Sequence, residues 1–108
     1  MIVNDRITQY IYSLESSQGD LLDSIEKKAR AERVPILRRE TAALLRTLVS
    51  GFRPRQILEI GTAVGYSALL MCSVMPEDGH ITTIEKYEKR IPQAKENFCR
   101  AGQEQRIT

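Results

Sequence analysis

The stretch from Ile57 to Leu70, Ile-Leu-Glu-Ile-Gly-Thr-Ala-Val-Gly-Tyr-Ser-Ala-Leu-Leu, admits few folds. Ile57 to Ile60 is a short, apolar, largely β-branched run and predicts a strand. Gly61 to Gly65 predicts a tight turn, and Tyr66 onward predicts a helix that Pro76 stops. Strand, glycine turn and helix in succession let backbone N–H groups and a helix N-terminus approach a ligand closely, because glycine tolerates positive φ and carries no Cβ. A second apolar-rich strand, Ile81 to Ile84, ends in an acid, Glu85. Glu85 stands 24 residues beyond Gly61, near the offset of about 20 at which a βαβ unit sets a carboxylate on ribose hydroxyls. A carboxylate there is a bidentate acceptor for two vicinal donors. A turn with two merely solvated glutamates would leave the position of both acids, Glu59 and Glu85, unexplained.

The flanking segments predict helices. Ile7, Tyr10, Ile11 and Leu14 form an i, i+3, i+4, i+7 stripe over residues 5–16, with Asn4 or Asp5 placed to cap it. A second helix is expected from Asp20 to Arg33, with Leu21, Leu22, Ile25 and Ala29 inward and Glu26, Lys27, Lys28, Arg30, Glu32 and Arg33 on a solvated face. Val34-Pro35 breaks it. A third runs from Arg39 to Ser50, with Leu44, Leu45 and Leu48 inward and Gly51 as its stop. After the central helix, Pro76-Glu-Asp-Gly79 is a turn, and the one histidine, His80, reads as structural at a strand entrance. The last helix spans Arg90 to Ala101, with Pro92 in its first turn, Ile91, Ala94, Lys95 and Phe98 on one face, and Gly102 beyond it. Arg106-Ile107-Thr108 would open a third strand.

At 108 residues there is room for one domain, and 42% hydrophobic with 28% charged residues excludes a disordered chain. A formal charge of +2 neither demands nor excludes nucleic acid. Cys72 and Cys99, without a CxxC spacing or a histidine cluster, read as small core hydrophobes of a reduced, cytoplasmic protein. Met-Ile-Val-Asn-Asp-Arg lacks the order of a signal peptide. Residues 57–75 are apolar enough to raise a membrane helix, but Glu59, two glycines, Thr62, Tyr66 and Ser67 argue against it.

Gly61-x-Ala63-x-Gly65 is not the Gly-x-Gly-x-x-Gly of a dinucleotide site, which speaks against a nicotinamide-dependent oxidoreductase. With Glu59 two residues ahead, it resembles motif I of the class I S-adenosylmethionine-dependent methyltransferases, Glu/Asp-x-Gly-x-Gly-x-Gly, with Ala63 at the middle glycine. The wider pattern is similar to the cation-dependent O-methyltransferases of the catechol and caffeoyl-CoA type. That pattern is Val-Pro-Ile before the third helix, Ile-Leu-Glu-Ile-Gly-Thr-x-x-Gly-Tyr-Ser, Thr-Ile-Glu, then Ala-x-x-Asn and Ala-Gly before Arg-Ile. Gln9-Tyr10 and Val34-Pro35-Ile36 also resemble the bacterial tRNA 5-hydroxyuridine methyltransferases.

The resemblance implies an α/β fold: three N-terminal helices, then β-α-β-α, the N-terminal half of a Rossmann-like class I methyltransferase. It divides the chain into residues 1–52, helices for dimerisation and cofactor cover, and residues 53–108, the first half of the S-adenosylmethionine-binding domain. Glu59, Gly61 and Ser67 would contact the methionine portion, Glu85 the ribose, and the Val34 to Leu37 segment would lie over the cofactor, with Leu37 in contact. A divalent cation, Mg²⁺, is implied with ligands outside this chain, as are a homodimer and a methyl acceptor that is a small molecule or tRNA. The catalytic residues are not identified here, and the 108-residue chain by itself is expected to be inactive. A non-catalytic dimerisation or RNA-binding module is the reading from another class, supported by the basic residues of the second helix.

Overall fold

The structure, a computed structural model, describes residues 3–108. Three helices come first: α1 (Asp5–Ser13), α2 (Asp20–Ala31) and α3 (Arg39–Phe52). There follow β1 (Gln56–Ile60), α4 (Tyr66–Cys72), β2 (His80–Ile84), a 3-10 turn (Glu88–Arg90) and α5 (Ile91–Arg100). The expected order of three helices and then β-α-β-α is the one found. The described residues include no helix long and apolar enough to cross a membrane.

β1 and β2 are parallel and in register, from Gln56 opposite His80 to Ile60 opposite Ile84. The pairing is closed at one end by the His80 N–H donating to Arg55 O at 2.8 Å, and at the other by the Gly61 N–H donating to Ile84 O at 2.7 Å. On its far side β2 takes an isolated parallel bridge from Ile107 to Ile81, at the place where the expected third strand would open. Side chains alternate across the sheet. Ile57, Glu59, Ile81 and Thr83 are drawn inward, whereas Leu58, Ile60 and Ile84 are exposed.

The core is one cluster, running from Leu22, Ile25 and Ala29 of α2 through Ala42 and Val49 of α3 to α4, Ile81 and Phe98. At its centre is α4, where Tyr66 and every residue from Ala68 to Cys72 are buried. Each fully buried Leu or Ile side chain contributes roughly 1.5–3 kcal/mol, and Leu70 and Ile81 are both wholly inaccessible.

Several expectations change in detail. α1 ends at Ser13 and α2 at Ala31, and of the two capping candidates Asn4 is the one that accepts the Arg6 N–H, at 2.8 Å. α3 continues through Gly51 to Phe52 and ends with Arg53 in the left-handed region, φ 50°, because Pro54 bars the residue before it from the right-handed helix. Leu44 and Leu48 point outward at 59% and 45% exposure; the inward arc of α3 is Ala42, Leu45 and Val49. Glu26 is buried rather than solvated. Cys99 is exposed, not a core residue, because Ala94, Asn97 and Phe98 define the inner face of α5; Cys72 is buried, and both thiols are free. α4 stops at Cys72, short of Pro76, β1 and β2 each start one residue early, and a 3-10 turn precedes α5. His80 hydrogen-bonds Thr108 Oγ1 at 2.8 Å, tying the entrance of β2 to the segment bridged at Ile107.

α5 also carries a polar anchor. Asn97, buried, donates its amide N–H to Val64 O at 2.8 Å. Replacing Asn97 by Ala leaves a buried carbonyl without its donor, and the expected loss is about 1–3 kcal/mol. Urea denaturation of the whole protein measures it. Cys99→Ala, on the exposed side of the same helix, should change stability far less, and equal effects would mean that the Asn97 bond carries no weight.

Candidate functional site

The turn between β1 and α4 is built from three residues at positive φ: Gly61 at 96°, Ala63 at 49° and Gly65 at 87°. Gly65 has two reasons to be glycine, its φ and the ring of Phe98, whose Cε1 would lie 2.5 Å from an added Cβ. Gly61 is exposed, and a Cβ there would meet nothing within 4 Å, so its backbone faces open space. Ala63 keeps the left-handed conformation although it has a Cβ, at a cost of about 1–2 kcal/mol. That conformation aims its N–H at Glu85, which accepts it on Oε2 at 2.7 Å.

The two acids sit at the C-terminal ends of neighbouring strands. Glu59 is half-buried and accepts two hydroxyl hydrogen bonds, from Ser67 Oγ at 2.5 Å and Thr83 Oγ1 at 2.7 Å. Thr83 Oγ1 is also 2.6 Å from Thr62 Oγ1. A hydroxyl has one proton, and that of Thr83 goes to the carboxylate, so Thr62 is the donor to Thr83. Glu85 has a different environment. Its second oxygen accepts the Tyr87 N–H at 2.9 Å, so both oxygens are held by backbone donors.

Two cavities flank this turn. One of about 230 Å³ is lined by Pro35, Ile36, Leu37, Gly61, Thr62, Ala63, Tyr66 and Ser67. The other, about 460 Å³ and more apolar, is lined by Thr62, Thr83, Ile84, Glu85, Ile91, Ala94, Lys95, Phe98, Ile107 and Thr108. The residues singled out in the sequence are therefore distributed as follows. Gly61, Ser67 and Leu37 share the first cavity, Glu85 lies on the second, and Glu59 sits under Ser67 and Thr83.

The sequence pattern assigns no role to Thr62 or Thr83, although Thr83 stands opposite Glu59 in the strand register and so on the same face. A further network lies behind the turn. Tyr66 is buried, and its hydroxyl donates to Glu26 Oε2 at 3.4 Å; burial first, and then the charge of Glu26, pushes its pKa up to about 12. No local signal could have revealed that pair, which is 40 residues apart in sequence.

An O-methyltransferase family model matches residues 13–108. A catechol O-methyltransferase from Niastella koreensis is 36% identical over 58 residues, covering 54% of this chain and 26% of that protein. Among solved structures, a provisionally assigned caffeoyl-CoA O-methyltransferase from Staphylococcus aureus is 34% identical, with TM-score 0.83 over 92% of this chain and 47% of that one. The O-methyltransferase TomG from Streptomyces achromogenes, involved in tomaymycin synthesis and solved in complex with SAM, is 26% identical, with TM-score 0.82 over 100% of this chain and 51% of that one. The chain spans about half the length of these structural relatives.

The two carboxyls titrate in opposite senses. Burial pushes Glu59 up, against the pull of the Ser67 and Thr83 hydroxyls, while the Tyr87 and Ala63 N–H groups hold Glu85 below the usual carboxylate range. A raised pKa in the folded state means that the folded protein binds the proton more tightly than the unfolded chain. The Glu59 contribution to stability is therefore complete below the ordinary value of about 4.3 and is lost as pH rises through the elevated folded value. The Glu85 contribution has the reverse sign: it is present above the ordinary value and is lost as pH falls through the depressed one. Glu59→Gln removes the Glu59 contribution alone. Its stability relative to the parent should rise as pH climbs from about 4.3 through the elevated folded value, read by thermal unfolding at each pH. A difference that is flat or falls with pH would show that Glu59 is not desolvated.

Proposed function

The chain belongs to the O-methyltransferase family, and we propose that the whole protein transfers a methyl group from S-adenosylmethionine to a hydroxyl oxygen, with this chain forming the cofactor side of the site. The observation that carries the reading is the pair of carboxylates, Glu59 and Glu85, on either side of a turn whose backbone is open at Gly61. Glu59 attracts the ammonium of the methionine end, and Ser67, already bonded to Glu59, orients that carboxylate. Gly61 lets the amino-acid portion pass close to the main chain. Glu85 accepts from the two ribose hydroxyls while the Ala63 and Tyr87 N–H groups keep it ionised. Leu37, in the connection between α2 and α3, covers the site.

When bound, the cofactor supplies an electrophilic methyl carbon on a sulfonium. The contribution of this chain is to hold that carbon in line for attack, and positioning of this kind can supply much of a rate enhancement. Among the described residues no group of three His, Cys, Asp or Glu is placed to hold a metal ion. The cation that the family resemblance implies would draw its ligands from elsewhere in the whole protein, and no step here depends on it.

For the acceptor we favour a small phenolic molecule with vicinal hydroxyls. The relatives named for catechol and caffeoyl-CoA support it, whereas a tRNA 5-hydroxyuridine acceptor rests on Gln9-Tyr10 and Val34-Pro35-Ile36 alone. Methyl transfer by the whole protein to a catechol and to hypomodified tRNA separates the two. For the cofactor, Glu85→Ala should weaken S-adenosylmethionine binding by about 1.5–3 kcal/mol, the worth of hydrogen bonds to a charged group. Calorimetric titration of parent and variant is the measurement, and equal affinities would remove Glu85 from the site.

A homodimer built partly on α1 is the second element of the proposal. Ile7, Tyr10, Ile11 and Leu14 are 57%, 64%, 37% and 66% exposed, an apolar stripe that the core leaves uncovered. Deleting residues 1–18 from the whole protein should move its mass in light scattering toward the monomer. A dimer that survives the deletion would rule α1 out of the interface.

A further inference from the structure

Glu26 is a charged residue at 8% exposure on a helix whose other acids face solvent. A carboxylate taken out of water costs several kcal/mol unless charged or polar partners replace the water. Its partners come from three places. Arg39 Nε, on the first residue of α3, donates to Oε1 at 3.0 Å. Arg30, one turn further along α2, pairs with Oε2 at 3.4 Å. The Tyr66 hydroxyl, on the first residue of α4, makes a long hydrogen bond to the same oxygen.

Arg30 has a second acceptor. The nitrogen that pairs with Glu26 also donates to Leu37 O, at 3.0 Å. Leu37 belongs to the segment Pro35–Leu37, which lines the smaller cavity opposite Gly61, Ala63 and Ser67. Among the described residues this is the one hydrogen bond that fastens Pro35–Leu37 to the rest of the molecule. On either side of it the chain is anchored by Val34 N–H to Ala29 O at 2.8 Å and by Ala42 N–H to Arg38 O at 2.8 Å.

We propose that Arg30, held in place by Glu26, is a positioning residue that clamps the Pro35–Leu37 cover at a fixed height above the Gly61–Gly65 turn. The inference rests on the reading that this cavity takes the methionine end of S-adenosylmethionine. Glu26 makes the clamp act on both walls, because one carboxylate touches the residue that holds the cover and the residue that opens α4 behind the turn. Arg30 has a planar fork of donors and can serve Glu26 and the Leu37 carbonyl together. Its side chain is 41% exposed, so replacing it opens no hole in the core. Glu26 keeps Arg39 and Tyr66 as partners in such a variant, so the folding cost is limited and is read separately from the loss of positioning.

The test uses the whole protein, with S-adenosylhomocysteine as the probe. Arg30→Met should weaken its binding about tenfold, the lower end for a hydrogen bond to a charged group, with a modest fall in the thermal midpoint of the ligand-free protein, because Glu26 keeps its shorter pair with Arg39 at 3.0 Å. Limited trypsin digestion reads the cover directly, because Arg33 and Arg38 flank it and are exposed. Cleavage after these residues should quicken in Arg30→Met, and Arg30→Lys, which restores a cation and a donor, should recover most of the affinity and of the resistance. Unchanged affinity and unchanged cleavage in Arg30→Met would overturn the clamp. So would a loss of affinity that tracks a large fall in the midpoint, since that is a folding effect. Failure of the parent itself to bind the probe is a separate result, seen before any variant is made; it would overturn the proposed function and the clamp's cofactor role with it.

Discussion

The in-register pairing of β1 with β2 is the constraint from which the site follows. Because Glu59 stands opposite Thr83, the two side chains share the inner face, and the hydroxyl of one reaches the carboxylate of the other at 2.7 Å. Because the ladder closes with Gly61 N–H on Ile84 O, the turn leaves β1 directly beside the residue that follows β2, which is Glu85. A slip of one residue would reverse every side chain across the sheet, exposing Glu59 and burying Leu58. The strand pairing thus brings two acids and a backbone donor together before any side-chain preference acts.

What holds the turn is the layer of helices on that same face. α4 leaves Gly65 with its first residue, Tyr66, buried, and α5 presses Phe98 against Gly65 while Asn97 takes the Val64 carbonyl. These contacts fix the backbone closely enough to keep Ala63 at a φ that a residue with a Cβ adopts only at a cost. The return on that strain is an N–H aimed at Glu85. At this position the motif's middle glycine has been exchanged for alanine without loss of the conformation that glycine would have adopted freely. Among the described residues no such layer covers the opposite face of the sheet, where Leu58, Ile60 and Ile84 are exposed.

The strands, the turn and the order of elements were legible because each rests on local chemistry: β-branched runs, glycines, and acids at strand ends. The inner face of α3 was not. Its sequence carries two apolar stripes, Ala42, Leu45 and Val49 on one side and Leu44, Leu48 and Phe52 on the other, and only packing against α4 chooses between them. The end of α3 departs from the sequence pattern for a related reason. Gly51 permits a helix to stop, but Pro54 compels it, and the chain obeys the compulsion. Glu26 looked like part of a solvated charge run because its partners, Arg39 and Tyr66, are 13 and 40 residues away. Thr83 was within reach of the sequence argument, since two parallel strands ending in acids define a register once they are paired.

The two carboxylates differ in what they lack, and this difference assigns their roles within the proposed function. Burial raises the pKa of Glu59, and among the described residues its donors are two hydroxyls, whose pull does not offset that desolvation. A cation arriving nearby would offset it, because an opposite charge favours the ionised form that burial disfavours. Glu85 already has a backbone donor on each oxygen, stays ionised without help, and has lone pairs left for neutral hydroxyls. Exchanging the two environments would put the ammonium of an amino acid against a carboxylate with little need of it, and a ribose diol against one whose charge is poorly supported. Under the proposed function, an amino-acid end toward Glu59 and a sugar toward Glu85 would match the desolvated strand end and the one met by main-chain N–H groups.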